Sequence, residues 1–183
     1  EQQQIVAIVM ACGAVSWSKL GSDGAWQHWL SANEIRPFQA SNAGVECDWS
    51  NYMQPVFGQP LKRVQAWVKG TEPSMGDIVI SHYGLESGLI YKQGRALRQL
   101  QLAHQPMQLH LDLLPDLSIE QLCQKLQLSK KQSLSNIWRK AGLDAVKSAV
   151  VRELVDKALW QQPMQLAQQI KNLMVPLKGF RPI

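Results

Sequence analysis

The spacing of apolar residues changes abruptly in the middle of the chain, and this change constrains the fold strongly. Between Met107 and Leu113 apolar and polar residues alternate, a pattern that ends at Pro115 and predicts a strand buried on one face. From Leu117 onward the apolar residues recur every three to four positions, which predicts helices. A sheet followed by a run of helices is typical of an α+β fold.

Short apolar segments bounded by glycine and proline precede that strand and predict a small antiparallel sheet or barrel. These segments are residues 43–49, 61–69 and 77–82. A helix is expected over residues 87–101. Residues 175–183 are expected to be extended again, because Gly179 and two prolines exclude a helix there.

Four helices are predicted in the part of the chain that follows the sheet. We expect them over residues 118–128, 133–141, 144–159 and 163–174. Ser118 and Gln121 have the spacing of a capping box at the start of the first helix. Gly142 follows the second helix in the usual C-terminal position, and Pro163 suits the first turn of the fourth.

The N-terminal segment has a different character from the rest of the chain. Residues 5–12 form a continuous apolar run, which predicts a strand buried on both faces of a parallel sheet. A glycine-containing loop, residues 13–24, follows it, and Trp26, Trp29 and Leu30 then have helical spacing. Such a strand needs neighbours that this chain barely supplies, so we expect the chain to be a piece of a longer protein. An edge strand of a small domain is the alternative.

This organisation predicts three parts. Residues 1–33 form a β–loop–α unit, residues 34–116 together with 175–183 form a β-barrel-like domain, and residues 117–174 form a four-helix subdomain inserted into it.

The composition is that of a globular protein, with 45% apolar and 18% charged residues. No apolar run approaches the roughly 20 residues of a membrane span. Cys12, Cys47 and Cys123 are scattered along the chain, which disfavours a zinc site or a disulfide framework. We therefore expect no metal site and a cytoplasmic location.

The loop over residues 13–24 is the best local candidate for ligand contact. Its glycines permit close approach of the backbone, and the N-terminus of the following helix favours phosphate. The spacing matches neither GxGxxG nor a P-loop. From the residues alone, a cofactor-contacting loop and an ordinary βα turn both remain open, and Asp23 suits either a helix cap or a ribose hydroxyl.

Positive charge is concentrated in the predicted helices. Residues 117–174 contain nine basic and four acidic residues, whereas residues 1–116 contain eight and ten. Lys130–Lys131 and Arg139–Lys140 suggest an alternative function, a non-catalytic module that binds nucleic acid or a protein partner. Acidic residues interrupt this charge, so a solvated helix face is the simpler interpretation.

Three segments of the chain resemble the BaiN/RdsA-type NAD(P)/FAD-dependent flavoproteins. Residues 9–26 resemble the family's late FAD-contacting motif, in which a strand runs into Gly-Gly and a later Gly-Ser/Thr-Asp-Gly precedes a helix. Residues 76–88 are similar to its Gly-Glu-x-x-x-Thr-x-x-Gly-x-x-Gly segment, and residues 110–115 are similar to its strand that ends in Asp-Leu-x-Pro.

The resemblance implies that the chain combines the last strand and helix of a Rossmann-like FAD-binding domain with the barrel and helices inserted into that domain. It implies FAD in the full-length protein, NAD(P)H as candidate electron donor, an unknown small-molecule substrate, and the remainder of the FAD-binding domain as partner. The insert domain would help to form the substrate side of the flavin site. Without the GxGxxG unit, we expect the isolated chain to bind FAD weakly or not at all and to be inactive.

The resemblance also implies site residues. The FAD-contacting residues would be Gly13, Ala14, Ser16, Trp17, Gly21, Ser22, Asp23 and Gly24. Ala14 stands where the family usually has a second glycine, and Asp77 replaces the usual glutamate. From their position rather than from the resemblance, His82 and Tyr83 are the candidate catalytic residues, because they stand at a predicted strand end before Gly84. A loop pair that serves only packing and hydrogen bonding is the alternative.

Overall fold

A computed structural model of the chain describes residues 6–128 and 131–182. The chain divides into two compact units, one within residues 1–40 and the other comprising Ser41–Pro182. The buried apolar side chains of the described core all belong to the second unit, between Val45 and Leu177. The folding free energy from apolar burial therefore comes from the second unit.

The first unit departs from the predicted β–loop–α arrangement. Residues 6–12 form no strand, and Val6 and Val9 are 96% and 90% exposed; Ile5, also part of the predicted strand, lies outside the described residues. A strand needs partners for its backbone groups, and this segment pairs with none of the described residues. The expected helix is a 3-10 helix, Ala25–Trp29, without a buried residue of its own.

The second unit is built on one antiparallel sheet of seven strands, which confirms the predicted α+β fold with a barrel-like sheet. The strands are β1 (Val45–Glu46), β2 (Pro60–Trp67), β3 (Ser74–Ser81), β4 (Gly84–Glu86), β5 (Met107–Asp112), β6 (Leu173–Leu177) and β7 (Gly179–Phe180). They are ordered β6-β5-β2-β3-β4-β1-β7.

The last extended segment of the chain closes this sheet. β6 pairs with β5, from Leu173 opposite Leu111 to Leu177 opposite Met107, and β7 pairs with β1. Between them, the N–H of Lys178 donates to the carbonyl of Glu46. Because β6 and β7 are almost continuous, one segment joins both edges of the sheet and leaves it barrel-like. The extended segment begins at Leu173, two residues before the predicted start.

One long helix packs against the sheet. This helix, α1 (Gly88–Leu102), contacts β3 through Leu89 and other buried side chains. The Ser87 hydroxyl accepts hydrogen bonds from the N–H groups of Leu89 and Ile90, which fixes the start of the helix.

Four further α-helices lie between β5 and β6. They are α2 (Ile119–Lys125), α3 (Leu134–Ala141), α4 (Ala145–Leu154) and α5 (Pro163–Lys171). The capping box of Ser118 and the left-handed Gly142 are present as predicted. The prediction of one helix over residues 144–159 is wrong, because Val155 is extended and Asp156 caps a separate 3-10 helix, Lys157–Leu159.

The helices share an aromatic core. Trp138 is fully buried and meets the Trp160 ring edge-on at 5.7 Å, while the Arg152 guanidinium lies 5.0 Å from the Trp138 ring centroid. A hydrogen-bonded contact joins α4 to the segment between β1 and β2. Ser50 donates its hydroxyl and its backbone N–H to the Glu153 carboxylate. In the described ranges, no helix combines the length and the apolar character needed to cross a membrane.

Candidate functional site

The loop over residues 13–24, called the glycine loop below, is held together by its own hydrogen bonds. The Ser22 N–H donates to the Trp17 carbonyl at 3.1 Å, and these two residues form an antiparallel bridge around a short 3-10 helix. The Trp26 indole N–H donates to the Gly13 carbonyl at 3.0 Å, which ties the loop to the helix after it. The glycine loop is thus a closed turn with a defined shape.

The three glycines of this loop have positive φ angles but different surroundings. A Cβ on Gly13 would lie 2.6 Å from the Ser22 Oγ, and a Cβ on Gly24 would lie 2.5 Å from the Val15 Cγ1. Around a Cβ on Gly21, at φ +88°, no atom of the described chain lies within 4 Å. Packing inside the loop therefore requires two of the glycines, whereas Gly21 leaves its backbone open to a ligand.

The other side chains of the glycine loop also include some that bond within the loop and some that are exposed. The Asp23 carboxylate accepts a hydrogen bond at 3.0 Å from the N–H of Ala25, the first residue of the following 3-10 helix, whose N-cap residue is Gly24. Ser16 is exposed, Ala14 is partly buried, and Trp17 is 68% exposed. An exposed indole suits an aromatic ring, and an open glycine backbone suits a phosphate, so these residues fit a dinucleotide such as FAD.

His82 and Tyr83 form the tight turn between β3 and β4. The Tyr83 hydroxyl donates to the Glu86 carboxylate, and the Arg181 guanidinium lies 4.5 Å from the Tyr83 ring centroid. Burial, and secondly the bond to Glu86, raise the pKa of the Tyr83 phenol. Because the Tyr83 hydroxyl already donates its proton to Glu86, the side chain is better suited to orient neighbouring groups than to transfer a proton. His82 is exposed and meets the Tyr83 ring edge-on at 5.2 Å.

The segment 76–88 is one continuous structural unit comprising β3, the turn, β4 and the cap of α1. Two of its glycines are needed for close packing. A Cβ on Gly84 would lie 2.0 Å from the Val45 carbonyl oxygen, and a Cβ on Gly76 would lie 3.3 Å from the Leu89 Cβ. Gly76 and Gly84 therefore have a structural reason, whereas a Cβ on Gly88 would meet no atom within 4 Å.

Sequence reasoning missed the partners that define this region. Glu86 and Arg181 both contact Tyr83, but they come from different parts of the chain, and no local pattern links them. It also missed a β-bulge at Lys62 and Arg63, which a visible signal could have revealed. Two consecutive polar residues between Leu61 and Val64 break the alternation of that strand.

The basic residues of the proposed nucleic-acid alternative are only partly described, because Lys130 lies outside the described residues. Arg139 donates to the Asn136 side chain in the same helix, and Arg152 lies over two tryptophan rings. These contacts give both arginines a role within the helices. In residues 6–128 and 131–182, no group of three His, Cys, Asp or Glu side chains is placed to hold a metal ion.

Comparison with known proteins places this fold in a family. A search of curated proteins finds no significant match. The family profile described as "HI0933-like protein barrel and H2TH domain" matches residues 39–183, more than three quarters of the chain. The match begins next to the boundary of the second compact unit at Ser41. Its description agrees with the barrel-like sheet and helices, so the chain belongs to the HI0933-like barrel and H2TH domain family, which is of the FAD-dependent, BaiN/RdsA-like flavoprotein type.

Proposed function

We propose that this chain is part of an FAD-dependent oxidoreductase, in which the barrel and helices form the substrate side of the flavin site. The observation that carries the proposal is the family match over residues 39–183. The glycine loop supports it, because it precedes the matched region and leaves the Gly21 backbone open. In this assignment, residues 1–33 belong to the FAD-binding domain, residues 34–116 with 175–183 form the insert barrel, and residues 117–174 form its helical subdomain.

The glycine loop is proposed to contact FAD through the side that its own packing leaves free. Gly21 would let the backbone approach the cofactor, and the exposed Trp17 and Ser16 would offer an aromatic surface and a hydroxyl. Gly13, Ala14, Ser22, Asp23 and Gly24 would shape the loop. When bound, FAD supplies the hydride chemistry, and the protein orients it and limits access to it.

The turn between β3 and β4 is the proposed contribution of the barrel to the substrate side. His82 is exposed there, and Tyr83 is fixed by Glu86 and Arg181. NAD(P)H is the proposed electron donor. The free cysteines Cys12, Cys47 and Cys123 support a reducing, cytoplasmic location.

The test substitutes Gly21→Asn in the longer protein that joins this chain to its proposed FAD-binding domain. Asparagine tolerates positive φ, so the loop keeps its shape while a side chain enters the open space. We expect flavin affinity to fall about tenfold, the factor produced by a loss of 1.4 kcal/mol of binding. The measurement is flavin absorbance per protein after dialysis, together with the melting temperature of the flavin-free form.

The matched control is Gly58→Asn, because Gly58 also has a positive φ (79°) and open space around its Cβ position but lies outside the glycine loop. The control should retain flavin. Equal flavin retention by both variants would refute contact at Gly21. The 183-residue chain alone is expected to bind FAD weakly or not at all, and a yellow, stoichiometric preparation of it would contradict that expectation.

A further inference from the structure

A cleft of about 380 Å³ lies where β2 meets α2, α3 and α4. We call it the basic cleft, because the basic residues that line it are Lys62, Arg63, Lys125, Lys140 and Lys147. Asp116 and Asp144 are the acidic residues of its lining. The volume is in the range of pockets that hold small ligands.

Lys147 is the unusual member of this lining. Lys147 is only 7% exposed as a residue and lines the cleft. Within the described ranges its ammonium makes no hydrogen bond or ion pair, and it is not among the side-chain atoms fully shut off from solvent, so it faces the open cleft. Three carboxylates are close enough to attract it, but each has another partner. Asp112 binds Lys171 at 2.6 Å, Asp116 binds Arg63 at 2.9 Å, and Asp144 accepts the backbone N–H of Lys147 itself.

The position of Lys147 in its helix adds to the cost of this charge. It lies in the first turn of α4, where the aligned peptide dipoles repel a cation. Burial lowers the pKa of the Lys147 ammonium, against the opposing attraction of Asp144, Asp112 and Asp116. A partly desolvated cation without a hydrogen-bonded partner is unfavourable, and an anion in the cleft would reduce that penalty.

Lys125 and Lys140 differ from Lys147, because they lie at the C-terminal ends of α2 and α3. Cations are favourable at such ends, so the helices explain these two charges without any ligand. They add to the positive field of the cleft but do not by themselves indicate a site.

Arg63 provides a second, independent indication. It has a φ of +50° in the β-bulge between Leu61 and Val64, a conformation uncommon for a non-glycine residue. The Asp77 carboxylate holds the bulge by accepting the Arg63 N–H at 2.9 Å. The bulge leaves Lys62 and Arg63 both exposed and directed to the cleft lining, where strict alternation would turn one of them inward.

We propose that the basic cleft binds the phosphate group of a small molecule, with Lys147 as its inner cationic contact and Arg63 at its rim. A terminal phosphate or pyrophosphate suits this geometry, because a compact end group can reach an ammonium on a residue with little exposure more easily than a polymer backbone can. The proposal does not rest on the glycine loop, since all the residues of the cleft lie between Lys62 and Lys147.

The experiment titrates pyrophosphate into the 183-residue chain by calorimetry at low salt and follows the melting temperature. Wild type is expected to bind and to gain thermal stability. Lys147→Met should weaken binding at least tenfold and remove most of the thermal gain. Lys157→Met is the matched control, because Lys157 is an exposed lysine on the 3-10 helix outside the cleft and its loss changes the net charge equally.

Arg63→Gly is a second variant that keeps the proposal testable if Lys147→Met folds poorly. Glycine adopts the positive φ freely, so the bulge should persist while pyrophosphate affinity falls. The proposal is overturned if pyrophosphate gives neither heat nor a thermal shift, or if the Lys147 and Lys157 variants bind it alike. A DNA duplex that binds more tightly than pyrophosphate, and loses binding with Lys147→Met, would assign the cleft to nucleic acid and overturn the small-molecule assignment.

Discussion

At the scale of single residues, two lysines with little exposure show how partners decide the energetics of a charge. The Lys171 ammonium contacts the Asp112 carboxylate at 2.6 Å and donates to the carbonyls of Leu114 and Leu117. Lys147, in contrast, has no such partner among the described residues. Lys171 therefore joins α5 to the chain just after β5, while Lys147 is a charge that the fold alone does not satisfy.

Replacement of Lys171 by methionine is expected to destabilise the protein by about 3–5 kcal/mol, because it leaves the buried Asp112 carboxylate without its cation. Urea unfolding measures this loss. Lys178→Met is the control, since the Lys178–Asp48 pair is exposed and its loss should cost at most about 1 kcal/mol. Similar losses in both variants would contradict a structural role for the buried pair.

The lowered pKa of Lys147 predicts a dependence of stability on pH. Between its native pKa and the ordinary value of 10.5, the unfolded chain binds more protons than the native state, so stability should rise with pH across that window. The comparison is the unfolding free energy of wild type minus that of Lys147→Met, measured from about pH 7 to pH 10. This difference should increase; a flat or falling difference would show that the ammonium titrates as in water. Tyr83, whose pKa is raised, contributes equally to both proteins, so its titration cancels in this difference.

At the scale of elements, the unit formed by β3, the turn and β4 depends on one close approach. β1 pairs with β4 and with β7, so it lies between them. At Gly84, the backbone of β1 comes so near that a Cβ would lie 2.0 Å from the Val45 carbonyl oxygen. The His82–Tyr83 turn lies near Arg181, which directly follows β7 and has its guanidinium over the Tyr83 ring.

Gly84→Ala is therefore expected to force β1 away and to destabilise the protein by about 3 kcal/mol, at the upper end of overpacking effects. Gly88→Ala is the control four residues later, because a Cβ there meets no atom within 4 Å and the site is the first residue of α1. The control should be neutral or slightly stabilising. The measurement is denaturant unfolding, together with amide exchange at Val45 and Glu46, and unchanged exchange in Gly84→Ala would argue against displacement of β1.

At the scale of the whole molecule, the second unit contains the described apolar core. The closing segment 173–180 pairs with β5 and β1, strands that are far apart in the chain. Such non-local pairing makes the unfolding of the second unit cooperative, because loss of the segment 173–180 would expose both edges of the sheet at once.

A chain restricted to residues 41–182 is expected to unfold in one transition, with equal calorimetric and van't Hoff enthalpies. Its own core supplies the buried apolar surface that this requires. The control ends at residue 172, which removes β6 and β7, and we expect it to lose the cooperative transition. A broad, non-cooperative melt of the 41–182 chain would show instead that the second unit depends on the preceding residues.

Local sequence patterns determined much of the secondary structure of this protein. Alternation over 107–113, the capping box at Ser118 and the stop at Gly142 all depend on residues within a few positions of one another, so the elements they predict are present. The family resemblance, which depends on short motifs, is confirmed for the barrel and helices, while the assignment of the glycine loop to FAD stays a prediction.

Only the tertiary structure decided where those elements end and which side chains meet. Residues 6–12 have strand-like composition but lack a partner among the described residues, and the helix predicted over 144–159 ends at Leu154 because Asp156 begins a new cap. The contacts of Tyr83 with Arg181 and of Lys171 with Asp112 join positions far apart in the chain. Such contacts arise from the packing of whole elements, because a side chain's local sequence fixes its backbone preference but not the charge or ring that a distant segment brings to it.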